Sequence, residues 1–107
     1  MSESLPPAIV RVSRATFDRA RFAEVDAMNS RTSEYLIPAI NQLPGLIRFY
    51  AGVSPDGSAV QVSIWDSLEH ATQLDHLTQM TVDARGEAEA VGVTFTPIVN
   101  YPVGWTI

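Results

Sequence analysis

The chain has 107 residues, 46% of them hydrophobic and 18% charged, with a formal net charge of −5 and no cysteine. That length suits one domain with a modest core. The acidic balance argues against nucleic-acid and membrane-surface partners, and the missing thiols exclude disulfides, thiolate metal sites and a cysteine nucleophile.

Residues 1–7 read as a flexible tail ending at Pro6-Pro7, and residues 8–107 as a single folded domain. The tail is short and acidic and lacks the apolar stretch of a signal peptide. No apolar run reaches membrane-spanning length, so a cytoplasmic protein is expected. Ala8 to Ser13 alternates in a period of two and predicts a first strand. Thr16 or Asp18 can cap the helix that follows. Phe22, Val25, Asn29, Thr32, Leu36, Ala39, Ile40 and Leu43 recur at helical spacing, with a polar middle. The helix is expected from about Asp18 to Ile40, kinked or ended near Ile37 by Pro38, which has no N–H to donate.

Leu43-Pro44-Gly45 is a stop signal. Leu46 to Val53 reads as a second strand, and Ser54-Pro55-Asp56-Gly57 as a tight turn with glycine where positive φ is needed. Ser58 to Trp65 is then a third strand, hairpin-paired with the second. Asp66 can cap a helix over about Ser67 to Leu77, with Glu69 reaching back as in a capping box. Gln79 to Val91 suggests a further helical stretch interrupted at Gly86. Val93 to Tyr101 is β-branched and aromatic, with Pro97 inside, as expected of an edge strand or a bulge. Pro102 to Ile107 is an apolar tail holding Trp105.

The order β-α-β-β-α-β predicts an α+β, ferredoxin-like fold: a four-stranded antiparallel sheet with two helices on one face. The wholly apolar sets, Ala8/Val10/Val12, Ile47/Phe49/Ala51 and Val60/Val62/Ile64, are expected under the helices. Ile9, Arg11, Ser13, Arg48, Tyr50, Gly52, Gln61, Ser63 and Trp65 would then share the other face. That face is too aromatic for plain solvent surface and too polar for a core, so a second copy with its sheet opposed is expected to cover it.

Leu43-Pro44-Gly45-Leu46, Ser54-Pro55-Asp56-Gly57 and Ile64-Trp65-Asp66-Ser67-Leu68-Glu69-His70-Ala71 resemble the antibiotic biosynthesis monooxygenase family, over Ala8 to about Tyr101. The resemblance implies a homodimeric α/β barrel with a cavity between each sheet and its helices or the partner. Haem-degrading members use an Asn, a Trp and a His; their places fall near Ser13 and at Leu74 and Ala84, so that activity is not expected. Members that oxidise aromatic polyketide phenols without a cofactor have a Trp matching Trp65 and an Asn whose amide Gln61 keeps. Their His and Tyr fall at Gly52 and Ala71.

Such oxygenation asks the protein for orientation, a dry pocket and stabilisation of a phenolate. Trp65 as aromatic wall, Gln61 as hydrogen-bonding amide and His70 as base are the expected catalytic residues. Arg11, Ser13, Arg48, Tyr50 and Ser63 are the expected substrate-binding residues. Each also has a plain structural reading: a packing Trp, a solvated Gln, arginines paired with acids across an interface. His70 and His76 point to nearly opposite sides of one helix and cannot share a metal, and neither a metal nor an organic cofactor is expected. No nucleophile elbow and no phosphate-binding glycine loop is present. The expected partners are a second copy, a small aromatic substrate (a phenol, hydroquinone or polyketide-like molecule) and O2. The alternatives are a non-catalytic ligand-binding or stress-related barrel of the same architecture, and a ferredoxin-like RNA module, which the charge disfavours.

Overall fold

A computed structural model describes residues 7–76 and 78–107. The expected tail residues 1–6 and the expected helix end at Leu77 lie outside the described residues. The strands are β1 (Ile9–Thr16), β2 (Leu46–Ser54), β3 (Ser58–Trp65), β4 (Thr94–Phe95) and β5 (Val99–Pro102). The helices are α1 (Phe22–Ile40), α2 (Leu68–Ala71) and α3 (Thr78–Ala90). All pairings are antiparallel, in the order β2-β3-β1-β4, with β5 also pairing β1. The expected single fourth strand is thus two short ones. Pro97, which has no N–H to give a ladder, sits in the break. Thr96 bridges it, donating both its backbone N–H and its hydroxyl to the Arg14 carbonyl, at 2.9 and 3.1 Å.

Asp18 caps the 3-10 turn Arg19–Arg21 that leads into α1, its carboxylate accepting from Ala20 N at 2.9 Å. Pro38 does not end α1 near Ile37: it leaves the carbonyl of Glu34, one turn back, without its N–H donor, but the helix continues to Ile40 and helical bonding resumes through Asn41 N to Ile37 O. The expected second helix is divided. Ser67, not Asp66, caps α2 by accepting from His70 N, and a 3-10 segment, Thr72–His76, follows. Asp66 instead accepts from His70 Nδ1 at 2.6 Å, and no Glu69 capping box forms among the described residues. α3 runs through Gly86 without interruption.

Gly45 sits beneath that pair with φ +83°, and a Cβ there would run into His70 Nδ1 and Asp66 Oδ1. Gly45→Ala is therefore expected to destabilise the fold by at least about 1–2 kcal/mol from the left-handed backbone alone. A lowered midpoint of urea unfolding measures it.

The core has two parts. Ala15, Phe17, Val25, Met28, Ala88 and Val93 join the sheet to α1 and α3, while Ile9, Trp65 and Ala71 pack with Leu43, Leu46 and Leu74 at the other end. Outside it, Glu87 of α3 accepts from Arg31 Nε at 2.9 Å and Tyr35 hydroxyl at 2.7 Å, tying α1 to α3. Burial, and then this bond, push the Tyr35 phenol up to about 12, and the same bonds hold Glu87 below the usual carboxylate range.

In β1 and β3 the helices cover the face opposite to the expected one, whereas Phe49 and Ala51 of β2 face the helices as expected. Ile9, Arg11 and Ala15 of β1 and Ser63 and Trp65 of β3 are buried beneath them. Val10, Val12, Val62 and Ile64 lie on the outer face with the more exposed Val60, Tyr50, Val99 and Tyr101. Alternation states which residues of a strand share a side, but not which side the helices take. Here the more apolar side is left open and the mixed side faces inward.

Candidate functional site

Arg11 pairs across the ladder with Ser63, Ser13 with Gln61, and Ile9 with Trp65, so these six side chains share the inner face. Gln61 is also opposite Ala51, and Ser63 opposite Phe49, which brings the odd-numbered residues of β2 to the same side. Arg48 and Tyr50 pair with Ile64 and Val62 and therefore project from the outer face. Their expected place beside Trp65 is corrected by the hairpin: Ser54 pairs with Ser58, so even positions of β2 oppose even positions of β3.

Between α1 and the inner face lies a hollow of about 180 Å³, and beside it, toward the free edge of β2, a second of about 610 Å³. Asn29, Thr32, Leu36, Ile40, Phe49 and Gln61 line both, so the two form one cleft. The inner part alone is below the roughly 300–1,000 Å³ of small-molecule sites; the outer part is within it. The polar interruption in the apolar stripe of α1, Asn29 and Thr32, is where that helix crosses the cleft. Thr32 is 4% exposed and donates its hydroxyl to Met28 O at 3.0 Å. Gln61 and Ala51 point inward and are nonetheless exposed, because the cleft separates this part of the sheet from α1.

Among the described residues that line the inner hollow, the charged ones are Arg11 and Arg85. Arg11 is 5% exposed. It donates through one terminal nitrogen to Ala71 O at 3.2 Å and through the other to Asp75 Oδ1 at 2.8 Å. Asp75 stands half in solvent, so the cation is deeper than its counter-ion. Arg85 lies over the Phe95 ring, 5.0 Å from its centroid, with Glu89 3.4 Å away along the helix. Ser13, Asn29, Thr32 and Gln61 are the hollow's uncharged polar lining; the remaining walls are apolar, with Phe49 and Phe95 the aromatic ones.

Trp65 and Ser63 do not line either hollow. Trp65 is 0% exposed, and its indole N–H donates to Ser63 Oγ at 2.8 Å. They form the layer behind Arg11. Ser13 and Gln61 line the inner hollow, as expected of a site. Arg48 and Tyr50 border only the outer one, at the edge of β2. His70 borders neither; its ring is held by Asp66 at the Gly45 turn. Asn29, Thr32, Phe49, Arg85 and Phe95 were not singled out as site residues from sequence. Only the polar break in the stripe of α1 signalled the first two.

No family model matches the chain, and no curated protein does. Solved structures do. SnoaB from Streptomyces nogalater, a cofactor-independent oxygenase, in the form of a point mutant, is 17% identical and superimposes with a TM-score of 0.67 over 94% of this chain and 97% of its own. The monooxygenase of Streptomyces coelicolor gene ActVA-Orf6, in complex with nanaomycin D, gives 15% identity and a TM-score of 0.70 over 94% and 91%. A dimeric ferredoxin-like protein from an uncultured marine organism gives 13% and 0.71 over 94% and 99%. At these identities the likeness concerns the backbone. The chain has the α+β, ferredoxin-like fold on which the antibiotic biosynthesis monooxygenases are built.

Proposed function

We propose that this protein is a monooxygenase that acts on a small electron-rich aromatic, a phenol, hydroquinone or polyketide-like molecule, using O2 and no metal or organic cofactor. The observation that carries the reading is the cleft itself: a mostly apolar hollow whose charged lining, among the described residues, is Arg11 and Arg85. A phenolate is the ligand that uses both properties. The phenol gives its proton to water at the open mouth, and Arg11 holds the resulting negative charge where little solvent competes for it. Ser13 and Gln61 hydrogen-bond ring oxygens, Phe49 and Phe95 flank the ring, and Trp65 with Ser63 fixes the layer that positions Arg11. The electron-rich ring reduces O2: one oxygen atom enters the ring to give a quinone and the other leaves as water. The substrate supplies all the electrons, so no external reductant is needed. His70 has no contact with the cleft through which to act as the base.

The same reading includes a homodimer in the cytoplasm. Its motive is the outer face of the sheet, where Val10, Val12, Val62, Ile64, Tyr50 and Tyr101 form an apolar surface that a twin sheet would bury.

Oxygen uptake over a panel of anthrones and dihydroxyaromatics tests the chemistry. Consumption of one O2 per quinone formed is expected with at least one of them. If none turns over and none binds, the proposal falls. A second reading, a non-catalytic binding barrel, is favoured by Gly52 and Ala71, which put no titratable group at two positions where oxidising relatives are expected to have one. A ligand that binds tightly and is recovered unchanged after aerobic incubation would decide for it.

A further inference from the structure

We infer that Asp75 makes the cleft sensitive to the charge of what it holds: it is a resident counter-ion on Arg11 with which an anionic substrate must compete and which a neutral product lets return. Asp75 thus sets specificity through Arg11, and the segment Thr72–His76 is the part that moves. The inference rests on the proposed phenolate reading and goes beyond it in giving substrate and product opposite effects on one segment.

Arg11 lines the inner hollow, yet both of its terminal nitrogens are bonded to the helical layer, one to Ala71 O and the other to Asp75 Oδ1. Among the described residues no carboxylate lines that hollow. The anion that balances the buried cation is therefore Asp75, which reaches it from outside the hollow. A buried cation without a partner would be costly, so the pair is what stabilises Arg11 when no ligand charge is beside it. A phenolate in the hollow brings a second negative charge to the same guanidinium. The two anions repel each other, and Arg11 holds each less firmly than it would hold one alone.

What Asp75 holds down is a segment with few other ties. Thr72–His76 is a 3-10 turn with no buried residue. Thr72 and Gln73 bond the carbonyls of Glu69 and His70 just before them, and Gln73 also reaches Pro44 O at 2.8 Å. Among the described residues, the bond from Arg11 is the one side-chain hydrogen bond that ties this segment to the sheet. Leu74, next to Asp75, lines the inner hollow. Holding the segment down on Arg11 therefore keeps Leu74 against the space a ligand uses. That space, about 180 Å³, is smaller than the usual small-molecule site, and release of Asp75 enlarges it.

Asn100 supplies the other half of the exchange. It is opposite Arg11 in the β1–β5 ladder, and its Oδ1 is buried without a hydrogen-bond partner among the described residues. Such an acceptor is uncommon in a folded protein. Here it stands on the strand beside a guanidinium whose five N–H groups are not all spent. It offers Arg11 a neutral acceptor when the hold on Asp75 slackens. The consequence follows from charge. A phenolate on Arg11 loosens Asp75 and lets Leu74 withdraw. The quinone formed from it carries no negative charge, so Asp75 regains Arg11 and Leu74 returns to the hollow. Anion binding at Arg11 and closure of the segment oppose each other, and by linkage each weakens the other to the same degree.

Binding of 4-nitrophenol in mildly alkaline buffer, where it is the anion, and of its methyl ether 4-nitroanisole tests this. Asp75→Asn keeps an acceptor for Arg11 and removes the competing charge. It is expected to tighten nitrophenolate binding about fivefold or more and to leave nitroanisole binding unchanged. A purely structural Asp75 would move both ligands alike. Because the chain has no cysteine, a nitroxide on His76→Cys reports on the segment in a chain that keeps Asp75. The label is expected to gain mobility when nitrophenolate is added and not when nitroanisole is. If Asp75→Asn loses the native far-UV spectrum, the label carries the test by itself. Nitrophenolate that binds Asp75→Asn no more tightly than wild type, or that leaves the label unmoved, overturns the role of Asp75 and leaves the phenolate reading standing. Nitrophenolate that binds neither chain overturns both.

Discussion

Trp65→Ala is expected to lower the free energy of unfolding by about 3–5 kcal/mol, a large share of the roughly 5–15 kcal/mol that holds a domain of this size. The ring has no solvent contact and packs with Ile9 and Ala71, with Leu43, Leu46 and Leu74 around them. Its removal leaves a void between β1, β3 and α2. It also strips Ser63 Oγ, on a residue 2% exposed, of its indole donor, at a further cost of about 1–3 kcal/mol if no other group takes over. Trp65→Phe keeps the ring contacts and should lose much less. Adding Ser63→Ala to that variant should recover part of the loss, because both ends of the broken bond are then gone. Urea unfolding of the three variants measures all of this. A Trp65→Ala chain that unfolds at the wild-type midpoint would contradict the burial described.

Arg11→Met should act on charge. Methionine keeps most of the stem's packing and removes the guanidinium. Asp75, whose side chain is 46% exposed, can be rehydrated, so the loss of their ion pair leaves no buried anion behind. A hydrogen bond to a charged group is worth about 1.5–3 kcal/mol. An aromatic phenolate should therefore bind roughly 10- to 150-fold more weakly, whereas its O-methyl ether should bind nearly as before. Arg11→Lys should not restore the full affinity, since an ammonium cannot bond Ala71 O, Asp75 and a ligand in the fork geometry of a guanidinium. Calorimetric titration of the phenol and the ether, above the phenol's pKa, separates the two effects. Equal losses for both ligands would mean that Arg11 shapes the cleft without holding charge.

Much of the architecture was legible because its signals are local. The period of two marked β1, β2 and β3, and Gly57 marked the hairpin of β2 and β3; Pro97 marked an irregularity in the last strand, though not its division into β4 and β5. The grouping of Arg11, Ser13, Gln61, Ser63 and Trp65 on one side was legible for the same reason. What failed was the relation between strands. β2 was phased by composition, which placed Arg48 and Tyr50 with Trp65. The turn from Ser54 to Ser58 sets that phase instead, and the bulge at Ile47 returns Leu46 to the inner side. The choice of covered face was also not local. It depends on Trp65 finding Ala71 and Leu74 after the chain has turned, and on a sheet whose outer surface is the greasier one. Arg85 and Phe95 entered the cleft unannounced because only the packing of α3 on the sheet brings them there.

The position of β1 in the middle of the sheet has a consequence for how the molecule is made. One neighbour of β1 is β3, which forms a hairpin with β2 from adjacent sequence; the other is supplied by β4 and β5, near the end of the sequence given. During synthesis the first strand is therefore exposed along one side until β4 and β5 have emerged. Contacts such as Ile9 with Pro102 span most of its length, and native topology rich in such pairings slows folding. The hairpin can assemble early, whereas the buried arginine of β1 receives its last cross-strand neighbour, Asn100, only in the closing step.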